Sequence, residues 1–395
     1  MEKRKPTAAL AVSILIFTGA PGVAQIPEGF EVAQVTFDPE FWDSGVSINN
    51  CGEIVFHKRM GMPVETTEIF LYDNGRLTRL TDDNYHDAFP DNNDLGTIVW
   101  GRAVDGETQL VRYVNGESTI MGSSAGGPQI NNLSHIVAYE ANDGNCGAGA
   151  TVYHYHDDVF EVITDNDFSN QSVQNNDSDW ITWTQFDFCV DPWESEVMLF
   201  IGGDTIQLTQ GQITPRSPHI NNLGEVVWGS RTETGGSLLT LWKDGVSTMI
   251  TDWGLAPRIN DLSEIAFHRW HEDNSTWQVW LYRGAEILQI TDEPFWNSSM
   301  DINNWTEIPW VAGNFPNSDL MLMRRIRTGE ADFDGHIDLK DAAAFQNCMT
   351  GPGDFDGTTG GFDRLCDCRF LDIDHDRDVD RDDYALFAAA MTGPQ

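Results

Sequence analysis

The sequence predicts an all-β fold, a seven-bladed β-propeller, followed by a small α-helical C-terminal domain. Three observations predict this organisation. One turn-and-strand unit occurs seven times at a spacing of about 42 residues, which indicates a repeat architecture. A threonine motif recurs between the units, and two acidic loop-and-helix patterns follow Arg327. The expected boundaries are a signal peptide at 1–24, the propeller at 28–326 and the C-terminal domain at 327–395.

Each unit opens with a pair of asparagines, or a close equivalent, and continues into a β-branched and aromatic run such as Glu225–Trp228. Asparagine and glycine suit the tight turn, and the run that follows is typical of a strand. Further strand pairs, as in Ile69–Asp83, bring each unit to about four strands, as a propeller blade requires. The pairs are Asn49-Asn50, Asn92-Asn93, Asn131-Asn132, Asn175-Asn176, Asn221-Asn222, Asn260-Asp261 and Asn303-Asn304.

The threonine motif is an apolar residue followed by Thr and often by Asp. Its members are Val35-Thr36, Leu80-Thr81-Asp82, Ile163-Thr164-Asp165, Leu208-Thr209, Ile250-Thr251-Asp252 and Ile290-Thr291-Asp292. The first member precedes every asparagine pair, whereas the last unit has no such motif. We therefore expect the N-terminal segment to supply the strand that the last unit lacks, which closes the ring and leaves no open sheet edge.

The overall charge excludes two classes of partner. The chain has 62 acidic residues against 23 basic ones, so nucleic acid and anionic membrane surfaces would repel it. Aromatic residues make up 11% of the chain, which is enough for a large core and argues against disorder.

The N-terminus has the pattern of a signal peptide. Three basic residues, Lys3, Arg4 and Lys5, precede an apolar run at Ala8–Phe17 that is too short to span a bilayer. Small residues follow and end at Ala24, after which we expect cleavage. The alternative is a retained anchor. The sequence thus predicts a secreted or cell-surface protein with no membrane span after cleavage.

Export permits disulfide bonds among the six cysteines. Cys348 is expected to pair with Cys366 or with Cys368, since all three lie in the last 50 residues. Cys146 with Cys189 is a second expected pair.

The acidic loops have the spacing of calcium sites, because a 12-residue loop offers oxygens from positions 1, 3, 5, 7, 9 and 12. In the first loop these positions are Glu330, Asp332, Asp334, His336, Asp338 and Asp341. In the second loop they are Asp372, Asp374, Asp376, Asp378, Asp380 and Asp383. Gly335 stands at position 6 of the first loop and Arg377 at position 6 of the second, while Ile337 and Val379 hold the apolar position 8.

Two families are similar to these patterns. The tandem of loops and helices ending in Asp at position 12 resembles a dockerin type I module, which is EF-hand-like. That resemblance implies calcium as cofactor and a cohesin-like or cell-surface protein as partner. The threonine motif, the turn and the "IVF"-like strand resemble the TolB-type propeller repeat, and the INNxGEVV wording resembles bacterial extracellular repeats. These propeller resemblances imply a fold and leave the activity open.

Other candidate residues have both a structural and a functional interpretation. His154 and His156 share one strand face and are a possible metal pair, or part of an exposed outer strand. Trp100, Trp183, Trp228 and Trp310 recur at one repeat position and are expected in the core. Candidates for exposed ligand contact are Trp42, Trp270, Trp277, Trp296 and Trp305. His57 and His268 occupy equivalent positions, which favours a structural role.

The sequence therefore leads to a secreted, non-catalytic propeller that binds a protein or a glycan and is tethered by its calcium-binding module. No residues are assigned to catalysis, since esterase, zinc-protease and phosphate-loop motifs are absent from this sequence. An extracellular polysaccharide-degrading enzyme, either a glycoside hydrolase or a lyase, is one alternative, and a structural cell-surface protein is another.

Overall fold

The structure is a computed structural model. It describes residues 26–37, 42–60, 66–123, 126–142, 149–190, 194–210, 214–232, 235–271, 275–314, 317–331, 336–349, 366, 368–374 and 379–391. The predicted signal peptide lies outside these ranges.

The described residues form strands almost throughout, in seven successive antiparallel groups of four. Group 1 is β2 (Trp42–Ile48), β3 (Ile54–Met60), β4 (Thr66–Asp73) and β5 (Arg76–Arg79). Group 2 is β6 (His86–Asn92), β7 (Ile98–Val104), β8 (Glu107–Val114) and β9 (Glu117–Ser123). Group 3 is β10 (Gly126–Ile130), β11 (Ile136–Asn142), β12 (Gly149–His156) and β13 (Val159–Val162). Group 4 is β14 (Ser169–Asn175), β15 (Ile181–Asp187), β16 (Glu194–Ile201) and β17 (Asp204–Gln207).

The remaining groups repeat the same order. Group 5 is β18 (Thr214–Ile220), β19 (Val226–Arg231), β20 (Ser237–Lys243) and β21 (Val246–Thr251). Group 6 is β22 (Leu255–Ile259), β23 (Ile265–His271), β24 (Thr276–Arg283) and β25 (Glu286–Gln289). Group 7 is β26 (Asn297–Met300), β27 (Ile308–Asn314) and β28 (Asn317–Arg325), completed by β1 (Phe30–Gln34) from the N-terminus. In the described part of the chain after residue 325, two helices are complete, α1 (Leu339–Cys348) and α2 (Arg381–Ala390).

The N-terminal strand completes the last group, as the unpaired first threonine motif predicts. β1 pairs antiparallel with β28 over the register Phe30↔Arg325 to Gln34↔Met321. Thr36 Oγ1 then accepts from the amide of Leu320 at 2.8 Å. The edge of the last sheet is thus covered by the first strand of the chain.

A ring of asparagine side chains joins all seven groups. The side-chain amide of each ring asparagine donates to the backbone carbonyl of the ring asparagine in the next group, at 2.8–3.1 Å. The ring asparagines are Asn49, Asn93, Asn131, Asn176, Asn221, Asn260 and Asn303. All seven are buried, and each link gives the accepting carbonyl a second donor besides the backbone amide three residues later in its own turn.

A second ring lies one residue further along each turn. Each backbone N–H donates to a side-chain oxygen of the corresponding residue in the next group, at 2.7–2.9 Å. Its members, in order, are Asn50, Asp94, Asn132, Asp177, Asn222, Asp261 and Asn304. Asparagine alternates with aspartate, so side-chain amides such as that of Asn222 also donate to the flanking carboxylates.

These rings correct the register of two predicted pairs. The equivalents of Asn49-Asn50 are Asn93-Asp94 and Asn176-Asp177, not Asn92-Asn93 and Asn175-Asn176. A pair of adjacent asparagines is ambiguous when a third polar residue extends it, because only hydrogen-bond partners fix which residue enters the ring.

The recurring threonine is a hydrogen-bond bridge within its group. Its hydroxyl accepts from a third-strand amide, as Thr81 does from Ile69 at 2.9 Å and Thr291 from Val279 at 2.8 Å. Thr81 and Thr291 also donate to the residue just before that amide, to Glu68 and Gln278 respectively, both at 2.7 Å. The threonine thus joins the end of the fourth strand of its group to the third strand.

The core lies between successive sheets. The recurring tryptophans are buried as predicted, with Trp100 fully enclosed among Val55, Ile69, Ile98 and Val111. Apolar residues of different groups pack in each cluster, which is how stacked sheets shed water. Among the residues that the structure describes, no helix has the length and apolar character needed to cross a membrane.

Candidate functional site

The two C-terminal helices begin at residues that the calcium pattern singled out. Asp338 is the N-cap of α1 and Asp341 its third residue, and the two side chains form a reciprocal capping box. Asp380 and Asp383 repeat this arrangement in α2. A capping box satisfies backbone amides at a helix start and favours negative charge there. Positions 9 and 12 of both loops therefore have a structural role that spacing alone did not predict.

The second loop brings three of its predicted ligands together. Oxygens of Asp372, Asp374 and Asp383 lie within 4.8 Å of one another. Asp372 and Asp383 are buried and Asp374 is exposed. Asp383 also accepts backbone amides from Ile373, Asp374 and Asp380 at 2.5–3.1 Å, which holds its carboxylate in the loop.

The first loop is described in part. Asp341 is buried and accepts from the amides of Ala331 and Asp338 at 2.7 and 2.8 Å. Glu330 is half-buried and His336 is exposed. The predicted ligands Asp332, Asp334, Asp376 and Asp378 lie outside the described residues, as do Gly335 and Arg377.

The C-terminal domain has an apolar core of its own. Phe345 of α1 and Phe387 of α2 pack with their ring centroids 5.0 Å apart, against Leu371 and Val379. Val379 and Ile337, the two position 8 residues, both contribute to this cluster. The disulfide Cys348–Cys368 lies in the same cluster and decides between the two alternatives for Cys348.

A second disulfide joins this domain to the strand groups. Cys51, in the first asparagine turn, is bonded to Cys366, although 315 positions separate them. Cys189 is also disulfide-bonded, while Cys146, its expected partner, lies outside the described residues. Disulfide bonds are typical of exported proteins, so the structure is compatible with an extracellular location.

An ionic contact recurs where neighbouring groups meet. We call it the junction contact: a carboxylate four residues after a ring asparagine receives a hydroxyl from the next group and a cation from the end of its own third strand. Glu225 receives Ser263 at 2.7 Å and Lys243 at 2.5 Å. Glu264 receives Thr306 at 2.7 Å and Arg283 at 2.8 Å.

At the seventh group the C-terminal domain supplies the cation of this contact. Arg369 Nη2 lies 2.7 Å from Glu307, and both side chains are largely buried. Gly52 stands where the other contacts have Ser263 or Thr306, and a Cβ at Gly52 would overlap the Arg369 guanidinium. The absence of a side chain at Gly52 thus gives Arg369 its place.

Further contacts surround this insertion. Arg327 lies 2.9 Å from the buried carboxylate of Asp372, and Asn74 donates to the same carboxylate at 2.6 Å. Trp305 packs edge-on against Phe370 and donates its indole N–H to the carbonyl of Asn50 at 3.0 Å. Trp305, an expected ligand contact, is therefore partly covered by the chain itself.

A polar channel runs between the first strands of the groups, with a volume of about 440 Å³. Burial raises the pKa of Asp91 to about 6 and also raises the pKa of Asp301. Burial lowers the pKa of His219 well below its usual value, and the charge of Arg258 adds to that effect. Both carboxylates accept backbone amides, Asp91 from Ile130 at 2.7 Å and Asp301 from Ile48 at 3.0 Å. These groups therefore tie neighbouring strands together.

The other expected candidates have mixed positions. Trp296 is half-exposed and lies edge-on to Trp270, which in turn contacts Trp277, so these three form an aromatic patch. Trp42 is half-buried. Burial lowers the pKa of both His57 and His268 to about 4, so both rings are neutral at pH 7, in keeping with a structural role.

Comparison with solved structures identifies a β-propeller fold. The chain is similar to the β-propeller domain of the Trilobed protease from Pyrococcus furiosus, with a TM-score of 0.56 and 11% identity over 72% of this chain and 95% of that one. It is also similar to the acylaminoacyl peptidase of Pyrococcus horikoshii, with a TM-score of 0.57 and 12% identity over 72% of this chain and 52% of that one. The chain thus spans about half of the peptidase.

TolB from Acinetobacter baumannii is a more distant match, with a TM-score of 0.45 and 11% identity over 69% of this chain and 66% of that one. The Pyrococcus furiosus domain is described as having an open Velcro topology, whereas β1 pairs with β28 in this chain. No protein-family model matches the sequence, and no curated protein matches it. Identities this low show the fold alone.

Proposed function

We propose that the protein is an extracellular, non-catalytic binding propeller of seven blades, to which a dockerin-like calcium-binding module is docked. The carrying observation is the convergence of Asp372, Asp374 and Asp383 in the second loop, next to a helix that begins with a capping box. Arg327 and Asn74 both bond to Asp372 and hold this loop against the strand groups. An ion bound to Asp372 would therefore lie next to the contact between the loop and the strand groups.

The donors fit calcium by their chemistry. All three converging groups are carboxylates, and calcium prefers such hard oxygen ligands. Each carboxylate oxygen carries two lone pairs, so Asp383 retains acceptor capacity while it receives backbone amides. Bound calcium would supply positive charge among acidic side chains, and Asp372 would then share its charge between the ion and Arg327.

The non-catalytic interpretation is supported by the channel. Asp91 and Asp301 are held by backbone amides of neighbouring strands, so their carboxylates have a structural task. Loops at the edges of the groups then provide the binding surface for a protein or a glycan, since loops on a rigid scaffold commonly carry binding.

The calcium proposal is tested by calorimetric titration of the full-length chain. Saturable binding is expected, and Asp374→Asn should weaken one site at least about tenfold, the effect of about 1.4 kcal/mol. Asp382→Asn is the matched control, because this exposed acid in the first turn of α2 is at no predicted ligand position. Failure to bind calcium at millimolar concentration, or equal loss in both variants, would overturn it.

The binding proposal is tested with a panel of extracellular polysaccharides and cell-surface proteins from calcium-containing medium. Retention on one of these without release of reducing ends or unsaturated products supports a binding protein. Release of such products would replace the proposal with the polysaccharide-degrading alternative. Calcium-dependent self-assembly without binding would favour the structural alternative.

A further inference from the structure

A group of histidines and carboxylates lies where group 3 meets group 4. His154 and His156 end β12, and His135 precedes β11 in the same group. The ring centroids of His154 and His156 are 4.6 Å apart, and that of His135 is 5.6 and 5.7 Å from them. Glu161 of β13 faces His154 in the strand register, and Asp179 comes from the asparagine turn of group 4.

The donor atoms converge in two overlapping groups, one of His135, His154 and Asp179 and one of His154, His156 and Glu161, and those of each group lie within 4.8 Å of one another. Asp179 Oδ1 lies 2.9 Å from His135 Nδ1 and 3.4 Å from His154 Nε2. His156 Nε2 lies 3.2 Å from Glu161 Oε2. Four ligands around a tetrahedral zinc ion, at about 2.0 Å from it, are about 3.3 Å from one another. The two spacings from Asp179 therefore bracket the separation that a tetrahedral ion imposes.

His154 provides an independent sign of a ligand. Its side chain is 5% exposed, and its Nε2 is buried without a hydrogen-bond partner among the described residues. A buried polar atom without a partner costs free energy, which an ion at that position would recover.

The junction contact explains why a cation belongs here. In groups 5 and 6 that contact is neutralised by Lys243 and Arg283, the last residues of the third strands. His156 is the last residue of the third strand in group 3, and His135 stands four residues after the ring asparagine, where the other groups have Glu225 and Glu264. The carboxylate has moved to Asp179, three residues after the next ring asparagine. His156 thus stands in group 3 at the position where groups 5 and 6 have a lysine or an arginine.

We propose that His135, His154 and Asp179 form a site for a divalent transition-metal ion of the zinc class, with His156 and Glu161 beside it. Two imidazoles and a carboxylate suit zinc and disfavour calcium, which prefers an all-oxygen shell. The ion links two groups, because the histidines belong to group 3 and Asp179 to group 4. It takes the place of the lysine or arginine in the other junction contacts.

The test is zinc binding by the full-length protein in millimolar calcium, which occupies oxygen-only sites. Competition against a chromophoric chelator should show one zinc ion per chain, and cobalt substituted for it should give the intense visible absorption of a tetrahedral complex. His135→Ala should weaken zinc binding at least about tenfold. His86→Ala is the control, since this exposed histidine lies in β6 of group 2.

Two further variants keep the test decisive. Asp179→Asn should weaken zinc binding without loss of folding, because Asp179 is about one-third exposed. Zinc should raise the thermal midpoint of the wild-type protein and leave that of the His135→Ala His156→Ala double variant unchanged. The proposal would be overturned if the wild-type protein did not bind one zinc ion per chain in millimolar calcium. It would also be overturned if the folded double variant bound zinc as well as the wild type does.

Discussion

The side-chain amide of Asn303 donates to the backbone carbonyl of Asn49 at 3.1 Å, across 254 positions of the chain. The same bond joins each of the other neighbouring ring asparagines, so the contact between the last and the first group is no weaker in kind than the rest. Closure therefore rests on this ring as well as on the pairing of β1 with β28.

Removing one ring asparagine should destabilise the whole fold. Asn221 donates to the Asn260 carbonyl at 2.9 Å, and its own oxygen accepts the amide of Glu225 at 2.9 Å. Asn221→Ala removes one hydrogen bond from the buried Asn260 carbonyl and one from the buried Glu225 amide. We therefore expect a loss of about 2–4 kcal/mol in the free energy of unfolding. Urea denaturation of the full-length protein measures it. Leu223→Ala, at an exposed position of the same turn, should change stability little, and an equal loss in both would refute the role of the ring.

The threonine motif makes a prediction that separates its hydroxyl from its volume. Thr291→Val keeps the shape and removes the hydroxyl. The backbone amide of Val279 and the side-chain Oε1 of Gln278 then lose this partner. We expect a loss of about 2 kcal/mol in the free energy of unfolding. Thr291→Ser keeps the hydroxyl and should lose about 0.8 kcal/mol, the value of one buried methylene-sized group. If the serine variant proved the less stable one, packing would outweigh the bridge.

Gly52 should control the docking of the C-terminal domain. Gly52→Ala places a Cβ on the Arg369 guanidinium and also strains a backbone with φ of +77°. Gly75→Ala is a matched control, because its φ is +84° and nothing lies within 4 Å of the added Cβ. Both variants bear the cost of the left-handed backbone, about 1 kcal/mol.

Hydrogen–deuterium exchange of residues 368–374 distinguishes the two glycine variants. Exchange should be faster in Gly52→Ala than in the wild-type protein, and unchanged in Gly75→Ala. Equal exchange in all three proteins would mean that Arg369 does not hold the domain in place.

Stability should fall as pH rises through the titration of Asp91. Burial raises the pKa of this carboxyl from 3.8 to about 6 in the folded protein. The folded state therefore binds the proton more tightly than the unfolded chain, and stability decreases between about pH 4 and pH 6 as the proton is lost. Asp91→Asn should flatten this decrease in urea midpoints measured across that range. Asp105→Asn, in an exposed turn, should keep the wild-type slope, and a slope retained by Asp91→Asn would assign it to Asp301 and other buried acids.

Much of the fold could be predicted because its signals are local and repeated. Turn asparagines, β-branched runs and the threonine motif each specify a nearby contact, and their repetition compensates for weak single examples. Thr36, whose motif precedes every asparagine pair, also indicated β1. In the other groups the threonine hydroxyl bonds within its own stretch of sequence, whereas that of Thr36 accepts from Leu320, far along the chain. The ring register was ambiguous at Asn92 and Asn175, because residues adjacent in sequence satisfy the same pattern.

The sites depend on contacts that no local pattern records. Cys366 lies near both Cys348 and Cys368 in the sequence, yet it pairs with Cys51 because the C-terminal domain packs on the first asparagine turn. His135 and Asp179 carry no motif of their own, and only the meeting of groups 3 and 4 brings them to His154. Aligning the seven turns residue by residue would have found His135, where four other groups have Glu53, Glu225, Glu264 and Glu307.

The second ring, which begins with Asn50 and Asp94, has an odd number of members. Two residue types cannot alternate perfectly around a cycle with an odd number of members, so like neighbours must meet at one place. That place is Asn304 and Asn50, where the amide of Asn304 donates to Asn50 Oδ1 at 2.8 Å. The turns that hold these two residues also hold Trp305 and Cys51, which contact the C-terminal domain. The second ring thus departs from strict alternation at one place, and the C-terminal domain contacts the two turns that meet there.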